Sequence, residues 1–321
     1  MIGILNSNPT AFDGMLMVSA TGTDGYTLRV NDNMSLPFRT HFVALGGSDI
    51  TNVKSGRFTW PAVTGSLNIT GVGFQPDIVF FTSSYWGTLG VTTNSDFSFG
   101  AAIDSTHQGI LTSVITQSTP TSTISYCTDQ ECVTRGSTST PASLNGRGKL
   151  LSMDADGFTL SFARVGTGGI QWLAIKGGKW AIGSLNTSTT VNTKIQATGL
   201  GFKPRGAMLL GHGNTKSALG TGTGNWVGSF GAFDYRGTNG VHSTFAGTAL
   251  PTGSTTIGLF HNRAYLNVGF SGSSSGQASM FAMEDDGFIL NMDVADNKSN
   301  FVWYVAAGVP RVSQRSQILG L

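Results

Sequence analysis

Charge is scarce in this chain. Asp, Glu, Lys and Arg make up 11% of its 321 residues, against about 25% in an average soluble domain. Basic and acidic residues nearly balance, for a net charge of +2. There is no Lys/Arg cluster and no basic helix, so the stripe that displaces counterions from nucleic acid is missing. Only two glutamates occur, Glu131 and Glu284, which leaves no obvious carboxylate pair for glycoside hydrolysis. Long apolar runs are also absent. The longest, FVWYVAAGV at 301–309, is too short to span a bilayer as a helix. The first ten residues, MIGILNSNPT, have neither a basic n-region nor a long apolar h-region, so no secretory signal is read there. The expectation is a protein of the cytoplasm, or one that leaves its cell by a route such as lysis.

What is abundant is glycine, at 45 residues about twice the usual share of about 7%. Ser, Thr and Asn supply most of the polarity. The apolar fraction of 39%, with 20 Phe, is enough to fill a core and argues against disorder. Gly, Pro or β-branched residues interrupt nearly every helix-length window. Short alternating segments between turn clusters predict an all-β sandwich or barrel.

A repeat organises these segments. DGYTLRV, DGFTLSF and DGFILNM begin at Asp24, Asp156 and Asp286, in steps of 132 and 130. Each is followed by an apolar segment ending in glycine, at Phe42, Trp172 and Trp303, in steps of 130 and 131. GFQPDIVFF from Gly73 returns as GFKPRGAMLL from Gly201, 128 residues on. SFGAAID from Ser98 returns as SFGAFD from Ser229, 131 on. One order and one step imply tandem duplicated antiparallel β-sandwich modules, jelly-roll-like, of domain size. The divisions read from this are an N-terminal half-module at 1–47, modules at 48–178 and 179–308, and a tail at 309–321. The half-module holds a DG phrase and its glycine-ended segment but no GFxP or SFGA. It cannot bury its apolar face alone.

Each phrase has a physical reading. In DGFTLSF, Phe158, Leu160 and Phe162 alternate with polar residues, as on a half-buried strand. Tyr26, Leu28 and Val30, and Phe288, Leu290 and Met292, keep the period. Asp-Gly suits a tight hairpin turn. The proline of GFxP sets an extended entry to a strand. The glycine of SFGA marks a bulge or a close approach of two backbones.

Reactive side chains are few. The histidines, His41, His107, His212, His242 and His261, show no metal-ligand spacing. No GxSxG or phosphate loop occurs, and GTGTGNW at 220–226 lacks the lysine such a loop needs. Asp154 with Asp156, and Glu284 with Asp285 and Asp286, read either as solvated acidic turns or as a weak Ca²⁺ site. No metal or other cofactor is expected. The two cysteines form CTDQEC, and the repeat sets Cys127 and Cys132 against Phe260 and Tyr265. If these positions face each other across a hairpin, Cβ separations there suit a disulfide. The other reading is two buried free thiols. Trp172 and Trp303 are expected in the core. Tyr85, Trp86 and Trp226 lie in Gly/Ser/Thr-rich connections, where they either pack inward or present rings to a sugar or a protein.

The combination of Gly73, Phe74, Pro76 and Asp77, then Asp156, Gly157 and Phe158, then Trp172 and Gly177 resembles modules of tailed-bacteriophage virion proteins. The second copy departs from it at Arg205. The resemblance covers most of 42–308. It implies a non-enzymatic β-sandwich in a virion, in the tail or decorating the capsid, assembled in the host cytoplasm and bound to sister subunits and other virion proteins. It implies no catalytic residue. The alternative is a receptor- or glycan-binding virion module that meets a host surface glycan through Tyr85, Trp86 and Trp226. Neither reading involves nucleic acid or membrane insertion.

Overall fold

A computed structural model describes residues 2–5, 12–22, 25–33, 43–84, 95–116, 122–137, 143–219, 223–224, 226–235, 241–249, 255–260, 263–268 and 274–308. The protein is all-β: every regular element among these residues is a strand, and all pairings are antiparallel. No helix there is long and apolar enough to cross a membrane. The tail at 309–321 lies outside the described residues, as do Asp24 and Phe42.

Ten strands follow Gly47: β4 (Ile50–Thr59), β5 (Gly65–Ile69), β6 (Ile78–Ser84), β7 (Ser95–Ala102), β8 (Gln108–Thr116), β9 (Ser122–Thr128), β10 (Val133–Ser137), β11 (Ser143–Asp154), β12 (Gly157–Arg164) and β13 (Gly169–Gly177). They form a large sheet, β9-β8-β7-β6-β13-β4, and a small sheet, β10-β11-β12-β5. Then come β14 (Lys179–Asn186), β15 (Lys194–Thr198), β16 (Pro204–Gly211), β17 (Thr223–Gly224), β18 (Trp226–Asp234), β19 (Val241–Ala249), β20 (Thr255–Phe260), β21 (Tyr265–Val268), β22 (Ser274–Glu284), β23 (Gly287–Val294) and β24 (Phe301–Gly308). Their large sheet runs β20-β19-β18-β16-β24-β14 and their small sheet β21-β22-β23-β15. Strand for strand, this is the order of the first set. The short β17 is the exception: it pairs with β9 and so extends the first large sheet.

Three apolar layers separate four sheets. One core lies between the first small and large sheets, with Phe158, Leu160, Phe162, Phe81 and Trp172. Another lies between the second pair, with Phe288, Leu290, Met292, Leu209 and Tyr304. The third lies between the two large sheets, with Ile78, Phe80, Leu111 and Ile175 from the first and Met208, Leu210, Trp303 and Val305 from the second. Strand period explains this sharing. Val79 and Phe81 of β6 face inward while Ile78 and Phe80 face the other sandwich. Both large sheets are therefore apolar on both faces.

Equivalent residues meet in the middle layer. Phe99 and Phe230, the aromatics of the two SFGA phrases, stack edge to face at 5.5 Å. Gly100 of that phrase marks a close approach of backbones, since a Cβ there would overlap the carbonyl oxygen of Cys132. The chain passes from one sandwich to the other with no linker. Gly177 and Gly178, at φ of 93° and 75°, turn β13 directly into β14, conformations that glycine adopts without steric cost.

Both DG phrases work alike inside their sandwiches. Phe158 packs edge to face on Trp172 at 5.6 Å, and Phe288 on Tyr304 at 5.1 Å. The partner of Phe288 is thus Tyr304, not Trp303. Trp172 lies opposite Phe81, and Tyr304 opposite Leu209, the GFxP-equivalent of Phe81. The sheet step there is 132 residues, one more than the repeated Trp suggests. The connection from β23 to β24, residues 295–300, is two residues longer than that from β12 to β13, residues 165–168, which raises the step from 130 at the DG strands to 132 here. Both tryptophans are buried as expected, but on opposite faces: Trp172 inside its sandwich, Trp303 between the two.

Candidate interaction surface

The N-terminal segment forms a separate sheet, β1 (Ile2–Leu5), β2 (Phe12–Thr21) and β3 (Tyr26–Asp32), in the order β1-β2-β3. It repeats three strands of each small sheet. Leu28 of β3 pairs with Val18, as Leu160 pairs with Leu150 and Leu290 with Met280. The register slips after each of those partners, between Val18 and Ala20, Leu150 and Ser152, and Met280 and Ala282. A second slip falls at Met15/Leu16, Arg147/Gly148 and Gln277/Ala278. β1 takes the place of β10 and β21. The half-module thus begins earlier than the DG phrase alone indicates. β1 carries none of the repeated phrases, so only its pairing reveals it.

The surroundings differ. In the small sheets, β12 and β23 are flanked on both sides, their second neighbours being β5 and β15. Among the described residues, nothing pairs with the second edge of β3. Leu16, Val18, Leu28 and Val30 share one face. Leu150 and Phe162, the counterparts of Val18 and Val30, are fully buried, whereas Val18 and Val30 are 53% and 51% exposed. No described residue of 1–47 enters the cores of the sandwiches or the layer between them.

The glycines of the DG phrases register the same difference. Gly157 sits at φ 155°, and a Cβ there would overlap the carbonyl oxygen of Ile69 in β5. At Gly287 a Cβ would overlap the carbonyl oxygen of Ala197 in β15. At Gly25 a Cβ would meet no atom of the described residues within 4 Å.

The DG aspartates do more than shape turns. The Asp156 carboxylate accepts hydrogen bonds from the amides of Gly73 at 2.5 Å and Gly71 at 2.9 Å, and Asp286 accepts one from Gly201 at 2.5 Å. They tie the Gly-x-Gly-Phe loops, at φ of 76° to 88°, to the far end of the small sheet. The two amides hold the Asp156 carboxyl below the usual range. The neighbouring acids also have partners. Asp154 accepts from the Ser152 and Thr159 hydroxyls, and Asp285 meets Lys203 at 3.2 Å. Among the described residues, no cluster of three or more His, Cys, Asp or Glu forms a metal-binding group.

The predicted disulfide is not present: Cys127 and Cys132 are free and buried. The expected hairpin does not exist. β9 belongs to the large sheet and β10 to the small one, so the chain crosses between layers in CTDQEC. Cys127 faces the layer between the sandwiches and Cys132 the core of the first. Burial pushes both thiols up, which makes them poor nucleophiles. Tyr85 and Trp86 lie outside the described residues. Trp226 begins β18, with its backbone opposite Ala249, rather than lying in a connection.

Three buried polar groups had no signal in the sequence. Glu131, almost fully buried, accepts from the Tyr126 hydroxyl at 2.6 Å and from Arg147 at 2.7 Å. Asp296 accepts from Asn267 at 2.9 Å and is held up by burial. His212 contacts the Ser217 hydroxyl at 3.1 Å through Nε2; the Ser217 amide donates to the Cys127 carbonyl of the other sandwich, and the Cys127 amide donates to the Ser217 hydroxyl. Burial brings the His212 imidazole down to about 3, keeping it neutral. These groups occupy packed interior, where their hydrogen bonds fix strand ends and the seam between the sandwiches.

No protein-family model matches the chain, and no curated protein matches it.

Proposed function

We propose that this protein is a non-enzymatic structural component of a virion whose work is to make subunit interfaces. The observation that carries the reading is the N-terminal sheet. It reproduces the pairing and both register slips of the two buried small sheets, yet Val18 and Val30 of its apolar face are half exposed and no described residue pairs with its outer edge. A single fold used twice in full and once in part suits a building block. The virion setting is supported by the likeness of the GFxPD, DGF and Trp-to-Gly phrases to tailed-bacteriophage modules. Low charge and Ser/Thr/Gly-rich β architecture fit a protein that works by packing.

Light scattering across a dilution series tests this. The full chain is expected to hold a defined oligomeric mass on dilution. Removal of 1–47 is expected to abolish that mass while leaving both sandwiches folded, since no described residue of that segment belongs to a sandwich core. A full chain that is monomeric at every concentration, or a deletion that assembles like the parent, overturns it.

A further inference from the structure

We propose that the open edge of β3 pairs with β3 of a second copy of this chain, joining two N-terminal sheets into one six-stranded sheet across a two-fold axis. The proposal rests on the assembly reading above and names its contact.

The complete sandwiches show what the edge is built to receive. On β12, the partners of Phe158, Thr159 and Leu160 are Ile69, Asn68 and Leu67. On β23, the partners of Phe288, Ile289 and Leu290 are Ala197, Gln196 and Ile195. The incoming strand is antiparallel and reads apolar, polar, apolar. The equivalent β3 positions are Tyr26, Thr27 and Leu28. A second β3 run antiparallel with Leu28 on the axis supplies Val30, Arg29 and Leu28 to them. That is again apolar, polar, apolar, and between residues 26 and 30 no like charges face each other. A two-fold axis normal to the sheet makes the strands antiparallel by symmetry.

Gly25 gives an independent reason. Its counterparts Gly157 and Gly287 make room for the carbonyl of Ile69 and of Ala197, residues opposite Phe158 and Phe288. In the proposed pairing, the residue opposite Tyr26 is Val30 of the second copy. Its carbonyl fills the space that is empty at Gly25 in one chain. An edge that no described residue pairs and a half-exposed Val30 on β3 are what an edge strand covers by pairing.

Two variants of the full chain test the contact. Opposed residues in an antiparallel pair have Cα atoms about 4.5–5.5 Å apart, within disulfide range. Leu28→Cys is therefore expected to give a covalent dimer under mild oxidation, with Arg29→Cys giving far less. Cys127 and Cys132 are buried and do not compete. Gly25→Val meets no obstacle within one chain but collides with the incoming carbonyl. It is expected to halve the native mass while the melting temperature of the two sandwiches stays unchanged. If the parent is oligomeric, yet Leu28→Cys does not crosslink and Gly25→Val keeps the parental mass, the β3 contact is overturned and the assembly reading stands. If the parent is monomeric throughout, both fall.

Discussion

Gly157 and Gly287 each leave room for one carbonyl oxygen of a neighbouring strand, and that space is testable side chain by side chain. Gly157→Ala must push β5 away from β12 or distort the turn, at about 1–3 kcal/mol. Gly25→Ala, with nothing within 4 Å, is expected to change monomer stability by less than about 0.5 kcal/mol. Urea unfolding of the two variants checks the contrast, and equal losses would remove the steric account. His212 offers a second residue-scale test. Its imidazole is held near 3 by burial, below the usual value of about 6.5. The contribution is fully present above pH 6.5. Below it the unfolded chain takes up a proton that the folded chain refuses, so stability falls as pH drops toward 3. Between pH 6.5 and 5, ahead of most carboxylates, His212→Asn is expected to remove up to about 1.4 kcal/mol per pH unit of slope. An unchanged slope would place the titration elsewhere.

Among the elements, those whose pattern is local were legible in the sequence. The DG strand alternates strictly, and Phe158, Leu160, Phe162 and their counterparts at 288, 290 and 292 are buried as that alternation requires. What failed depended on how strands are combined. Trp172 and Trp303 share a phrase and a near-constant step, but the connection before β24 is two residues longer than the one before β13, so Tyr304 takes the place of Trp172 and the two tryptophans face opposite layers. Cys127 and Cys132 are five apart, a spacing that reads as a hairpin until the layer crossing is known. The apolar outer faces of the large sheets gave no separate signal, because a strand buried on both faces loses its alternation. β24, FVWYVAAG, is such a strand, with its first six residues all buried. Its side chains divide between two layers, so Tyr304→Ala and Trp303→Ala are expected to cost about 3–5 kcal/mol each through different neighbours. Phe288→Leu should then couple to Tyr304→Ala and add independently to Trp303→Ala in double-mutant cycles. Coupling of Phe288 to Trp303 instead would contradict the assigned faces.

For the molecule as a whole, the middle layer decides how the sandwiches respond to stress. Domains joined through small polar contacts unfold separately. Here the join is a full apolar layer, with Ile78, Phe80 and Leu111 on one side and Met208, Leu210 and Trp303 on the other. Trp303 is fully buried in it and rests against Gly109 of the first sandwich. Strand β17 and the bond from the Ser217 amide to the Cys127 carbonyl add main-chain pairing across the same join. Unfolding one sandwich alone would expose the apolar outer face of the other's large sheet, at about 25 cal/mol per Å². The two are therefore expected to melt together, in one calorimetric transition whose calorimetric and van't Hoff enthalpies agree for residues 48–308. Gly109→Leu, which drives a side chain into the Trp303 ring across the layer, should split that transition or lower its van't Hoff enthalpy. The comparison matters because no described residue of the N-terminal sheet enters this layer. If the full chain shows a second, concentration-dependent transition that Gly25→Val abolishes, the sheet melts with its subunit contact and the sandwiches melt with each other. Two concentration-independent transitions in the parent would mean instead that the middle layer does not couple the sandwiches.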